Sequence, residues 1–128
     1  MKKFFILIVF SLLIGAGCGA PEESPSRESK IPLDAVKITP ETDINPVKSL
    51  SSEYEQPIPL PAPINTAGAE DSPFILSDGQ TLYFFFTPDV RIPAEKQVID
   101  NVTGIYISKK SGNVWSKPEH ILLKKSGT

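Results

Sequence analysis

Few side chains in this chain could carry reaction chemistry, and their spacing limits what they could do. Cys18 is the only cysteine and His120 the only histidine among 128 residues. One thiol excludes an intrachain disulfide, and one imidazole cannot build a multi-histidine metal site. His120 follows Glu119 and precedes Ile121 in a strand-like stretch, so it reads as a solvated or partly packed residue. No Ser-His-Asp arrangement suggests itself around it. Glycoside hydrolysis needs two carboxylates held about 5–10 Å apart, and Glu70, Asp71 and Asp78 are the candidates. Each has a local use: Asp78 belongs to an Asp-Gly turn with Gly79, and Glu70 and Asp71 lead into a strand. Tyr83, Tyr106 and Trp115 could line a sugar-binding surface, although at strand positions such rings usually belong to a core. No Gly-rich phosphate loop occurs, and neither a metal nor a cofactor is expected.

The thiol gains meaning from what precedes it. Met1–Lys3 are positively charged, Phe4–Ile14 are apolar apart from Ser11, and Gly15, Ala16 and Gly17 are small. Charge, apolar run and small-residue exit are the parts of an export signal, and the run falls short of the roughly 20 residues a membrane span needs. Leu13-Ile14-Gly15-Ala16-Gly17-Cys18 resembles the lipobox of bacterial lipoprotein precursors, with Gly15 where that family has Leu. The resemblance implies cleavage between Gly17 and Cys18, and a diacylglyceryl group (glycerol carrying chains such as palmitate) on the Cys18 thiol. Two acyl chains make attachment stable where one is marginal. Gly19 stands where an inner-membrane retention signal would have Asp, which favours the outer membrane or outer surface. The expected location is therefore the bacterial cell envelope, with a lipid anchor as the membrane contact.

Three segments follow from composition. Residues 1–17 form the signal. Residues 18–56 carry the lipidated cysteine and a spacer; from Gly19 to Gln56 it has eight acidic and four basic residues and Tyr54 as its only aromatic. Pro21, Pro25, Pro32, Pro40 and Pro46 interrupt any helix there, so the spacer is expected to be extended or disordered. Residues 57–128 form the module, entered through the alternating prolines of Pro57–Pro63. Its seven acidic and seven basic residues are balanced, which excludes a concentrated patch for nucleic acid.

The module reads as all-β. Strands are expected at Ser72–Ser77, Gln80–Thr87, Thr103–Lys109 and Val114–Leu123, the last interrupted by Pro118 and hence an edge. Pro88–Val102 reads as a loop. In the second strand Leu82, Phe84 and Phe86 share one face and Tyr83, Phe85 and Thr87 the other, so both faces should be covered.

Glu70-Asp71-Ser72-Pro73-Phe74, Ser77-Asp78-Gly79-Gln80-Thr81-Leu82-Tyr83-Phe84, Gly104-Ile105-Tyr106-Ile107-Ser108 and Trp115-Ser116-Lys117-Pro118 follow one another over residues 64–123. In order and spacing they resemble the WD40-like β-propeller repeat of bacterial envelope proteins. The resemblance implies a four-stranded antiparallel blade, with Asp78 and Gly79 at its turn and Tyr83, Phe84, Tyr106 and Trp115 in its packing. Propellers stack four to eight blades, so one blade implies part of a larger propeller. Ser108 to Trp115 also follows the Asp-box frame of sialidase-like propellers, with Lys110 in the place of the Asp. The expected function is an envelope lipoprotein whose propeller-type module binds a protein or glycan partner. The alternative is the N-terminal portion of a sialidase-like glycoside hydrolase.

Overall fold

The computed structural model describes residues 25–121. The expected signal segment, Gly17 and Cys18 lie outside the described residues. The centre of the fold is a curled antiparallel sheet of β1 (Ala69–Ile75), β2 (Thr81–Thr87) and β3 (Gly104–Ser111). Two short strands, β4 (Val114–Trp115) and β5 (Glu119–His120), share its fourth position along the free side of β3. Among the described residues helix is confined to a 3-10 turn at Arg27–Lys30 and one α-turn, α1 (Ala94–Gln97).

The β1–β2 turn is built by Asp78 and Gly79. Gly79 takes a φ of 65°, where a Cβ would be strained, and its N–H donates to the Leu76 carbonyl at 2.9 Å. Asp78 Oδ1 accepts from the Gln80 and Thr81 amides at 2.7 and 3.0 Å, and Oδ2 accepts from the Thr81 hydroxyl at 2.8 Å. Asp100 repeats this arrangement ahead of β3. It accepts from the Val102 and Thr103 amides at 2.7 and 2.6 Å and from the Thr103 hydroxyl at 2.8 Å. An Asp-x-x-Thr pair therefore closes the entry to each of the two central strands.

β1 begins earlier than composition suggests, because its acidic residues are accommodated. Glu70 accepts from the Thr66 amide and hydroxyl at 3.1 and 2.6 Å, so its carboxylate is satisfied beside the core. Between the pairs Asp71–Phe85 and Phe74–Tyr83, two residues of β1 oppose one of β2. That bulge takes up Ser72 and Pro73, where a missing N–H costs no ladder bond. The interruption of the fourth strand is equally local. Ser108, almost fully buried, donates to the Ser116 carbonyl at 2.7 Å, while the Lys109 amide donates to Ser116 Oγ at 3.0 Å.

One face of the sheet is sealed. Leu82, Phe84 and Phe86 of β2 meet Tyr106 of β3 and Trp115 of β4, with Ile64 and Val102 closing the two ends. Val102 is fully buried, and Pro88–Val102 holds the α1 turn, so this segment is more than a loop. Tyr106 stacks on Phe84 at 5.9 Å and meets Phe86 edge-on at 5.7 Å. On its other side it stacks on His120 at 4.8 Å, with the rings 11° from parallel. Gly104 makes room for that imidazole, since a Cβ there would lie 2.4 Å from His120 Nε2.

The opposite face differs from the expectation that both would be covered. Tyr83, Phe85 and Ile107 are half-buried, Ile105 is 38 % exposed and Phe74 62 % exposed. Among the described residues no strand or helix packs across them.

Two titrations report on this framework. Desolvation opposes ionisation of Asp100, yet the Thr103 and Val102 amides and the Thr103 hydroxyl hold its carboxyl below the ordinary 3.8. A lowered folded value means the stabilisation is present above pH 3.8 and is lost as pH falls through the folded value. Burial pushes the Tyr106 phenol, which donates to the Val102 carbonyl at 2.7 Å, from 10.0 up to about 12. Its stabilisation is complete below pH 10.0 and is lost as pH rises through about 12. Melting temperature followed by circular dichroism should therefore fall at both extremes. Asp100→Asn should flatten the acid slope and Tyr106→Phe the alkaline one; unchanged slopes would contradict these assignments.

Candidate functional site

A cation occupies the middle of the sealed face. Arg27 is 3 % exposed, although its neighbours Ser26 and Glu28 are exposed. Its guanidinium carbon lies 4.8, 5.5 and 5.9 Å from the ring centroids of Phe86, Phe84 and Tyr106. These distances are within the range of cation–π attraction, which strengthens when water is excluded. Nη1 donates to the Ile64 carbonyl at 3.1 Å, and Nη2 donates to the Pro63 carbonyl. Glu70 Oε1 stands 3.7 Å from Nη1 and supplies the opposite charge. Nε is buried with no hydrogen-bond acceptor; the Glu28 carboxylate comes to 3.5 Å without bonding geometry.

The sequence explains why the seat has this form. The alternation of β2 puts Phe84 and Phe86 on one face, and the register with β3 sets Tyr106 beside Phe84. With Phe86, which stands edge-on to Tyr106, they form an aromatic floor. Pro63 and Ile64 leave the proline-rich lead-in with their carbonyls aimed over that floor, and a planar fork satisfies two such acceptors at once.

Arg27 brings further contacts with it. Ile31 packs against the core, Lys37 Nζ donates to the Asn65 carbonyl at 2.9 Å, and Arg91 donates to both Asp34 oxygens at 2.8 and 3.1 Å. Arg91 also donates to Asp89 at 2.8 Å. Hydrogen bonds from Arg91 hold the carboxyls of Asp34 and Asp89 below their ordinary range. This cluster is exposed and screened, so it orients the segment more than it stabilises it.

The residues singled out in the sequence separate into distinct places. Phe84, Tyr106 and Trp115 are in the sealed core, Asp78 and Gly79 in the hairpin turn, and Tyr83 on the open face. Of the three rings that could have lined a sugar site, two are therefore core and one is half-exposed. The carboxylates are engaged locally: Asp71 accepts from the Ser72 amide at 2.6 Å, and Glu70 and Asp78 hold their own turns. Among the described residues no cluster of three or more His, Cys, Asp or Glu side chains is placed to hold a metal. Also among them, no helix is long and apolar enough to cross a membrane.

Arg27 was not visible as a functional residue in the sequence. It sits among Ser, Glu and Lys residues that signal an extended spacer, and its partners are 36 to 79 positions away. Asp100 was equally hidden, although its Asp-x-x-Thr spacing matches that of Asp78.

Comparison with family models, with curated proteins and with solved structures finds no match to the chain. The likeness to the propeller repeat and to the lipobox thus rests on the residues themselves.

Removing the guanidinium leaves the Pro63 and Ile64 carbonyls and the Glu70 carboxylate without their partner. Arg27→Ala should lower unfolding free energy by about 2–4 kcal/mol, on the scale of breaking a buried charge network. Arg27→Lys should recover less than half, because an ammonium lacks the planar fork. Urea unfolding followed through Trp115 fluorescence measures both; a loss below about 0.5 kcal/mol, that of an ordinary surface change, would contradict the seat.

Proposed function

We propose that the protein is a lipid-anchored lipoprotein of the bacterial cell envelope, whose sheet module binds a protein or glycan partner. The observation that carries the anchoring is the order of features in the first 18 residues: basic start, apolar run, small-residue exit, and then the only cysteine of the chain. In this reading Cys18 carries the acyl chains, and its thiol anchors without catalysing.

The open apolar face supports the binding half of the reading. Phe74, Tyr83, Phe85, Ile105 and Ile107 form a patch beside a sealed core, and such patches mark interaction surfaces. A further propeller blade would cover the face in the same manner as a separate partner. Asp71, Lys109 and Glu119 lie around it and suit a polar rim.

Membrane fractionation with palmitate labelling tests the anchor. The wild-type chain should pellet with membranes and take up label, and Cys18→Ser should do neither. A Cys18→Ser protein that stayed membrane-bound and labelled would overturn the anchoring. For the module, Phe74→Asp should abolish recovery of any partner cross-linked in envelopes, while the variant's unfolding free energy changes by less than about 1 kcal/mol, as expected of an exposed site. Recovery unchanged by Phe74→Asp would exclude this face.

A further inference from the structure

The segment carrying Arg27 meets the sheet as a peptide meets a receptor. It touches the module through Arg27, Ile31, Asp34 and Lys37. Residues 38–60, which link it to the module, contribute no buried side chain. The seat itself belongs to the module: three aromatic rings, two convergent carbonyls and the Glu70 carboxylate.

We infer that this seat is a recognition site for an arginine-bearing peptide, filled in cis by the chain's own residues 25–37. The inference goes beyond the open-face reading: it adds a second site on the opposite face of the sheet, with its ligand class and the element that regulates access. Selectivity for arginine follows from geometry. The guanidinium carbon stands 5.5, 4.8 and 5.9 Å from the ring centroids of Phe84, Phe86 and Tyr106 while its two terminal nitrogens reach the Ile64 and Pro63 carbonyls. An ammonium is a point charge that cannot meet the rings and both carbonyls in the same way.

The cis occupant is also replaceable. Any arginine seated there leaves its Nε without an acceptor, as Arg27 does, so the cis segment and an external arginine peptide compete on equal terms at the seat. The contacts at Asp34 and Lys37 are exposed and therefore weak. The tether adds to the Arg27 contacts by making binding an intramolecular step with an effective concentration of about millimolar. An external arginine peptide competes once the cis segment is weakened or withdrawn.

The test uses the full-length chain in detergent and a fluorescent synthetic peptide of residues 25–37, read by anisotropy. The Arg27→Ala chain should bind this peptide, and wild type should bind it at least roughly tenfold more weakly because its own segment competes. A peptide with Ala in place of Arg27 should not bind either chain. In case Arg27→Ala compromises folding, a protease site placed in residues 46–52 of the otherwise wild-type chain gives a second measurement. After cutting, the segment should stay bound and be displaced by excess arginine peptide but not by the alanine peptide. Absence of arginine-specific binding in both formats would overturn the inference. That result would leave the Cys18 anchor and the open-face partner untouched, since each is read by its own assay.

Discussion

Burying an arginine in a small β module costs a large desolvation penalty unless the charge finds compensation on every side. Here the compensation comes from parts of the chain distant in sequence. β2 and β3 supply the rings, the proline-rich lead-in supplies carbonyls, and β1 supplies the Glu70 carboxylate. Arg27 is therefore the point at which the segment before residue 38, the lead-in and three strands are fastened together. With the cation in place, Phe84, Phe86 and Tyr106 keep low-energy contacts on a face that would otherwise meet water. The small apolar core of Ile64, Leu82, Val102 and Trp115 then closes around the same rings.

Much of the sheet was readable from local pattern. The Asp78-Gly79 turn, the apolar alternation of Leu82–Phe86 and the break at Pro118 depend on near neighbours and on period-two alternation, and β2 and β3 lie close to where these signals put them, whereas β1 begins at Ala69 instead of Ser72. What depended on distant partners was not readable. Glu70 looks like a residue before a strand until Thr66 and Arg27 are seen beside it. Val102 looks like the end of a loop until the Asp100 carboxylate fixes its amide and turns its side chain into the core. Arg27 is the extreme case, because a lone arginine in a polar, proline-rich stretch carries no local sign of burial. The second face marks the opposite limit: alternation announces its apolar character, while whatever covers it is specified outside the pattern.

The two proposals meet in the segment between Cys18 and the seat. Under the proposed anchoring, eight residues lie between the lipidated Cys18 and Arg27, a reach of at most about 32 Å. With Arg27 seated, the module is held near the bilayer. With Arg27 released, residues 28–60 join the tether and extend its maximum reach several-fold. Occupation of the seat by an arginine peptide would thus lengthen the tether as well as report binding. The open face, carrying Phe74 and Phe85, remains available in both states because it lies across the sheet from the seat.

The seat is tested most directly by the guanidinium resonances of Arg27 in the intact protein, assigned by their loss in Arg27→Lys. A guanidinium lying over three rings and sealed from water should show ring-current-shifted N–H signals whose exchange with solvent is slowed well beyond that of Arg91, which is exposed. An Arg27 signal at the position of a free side chain, exchanging as fast as that of Arg91, would contradict the account at its centre.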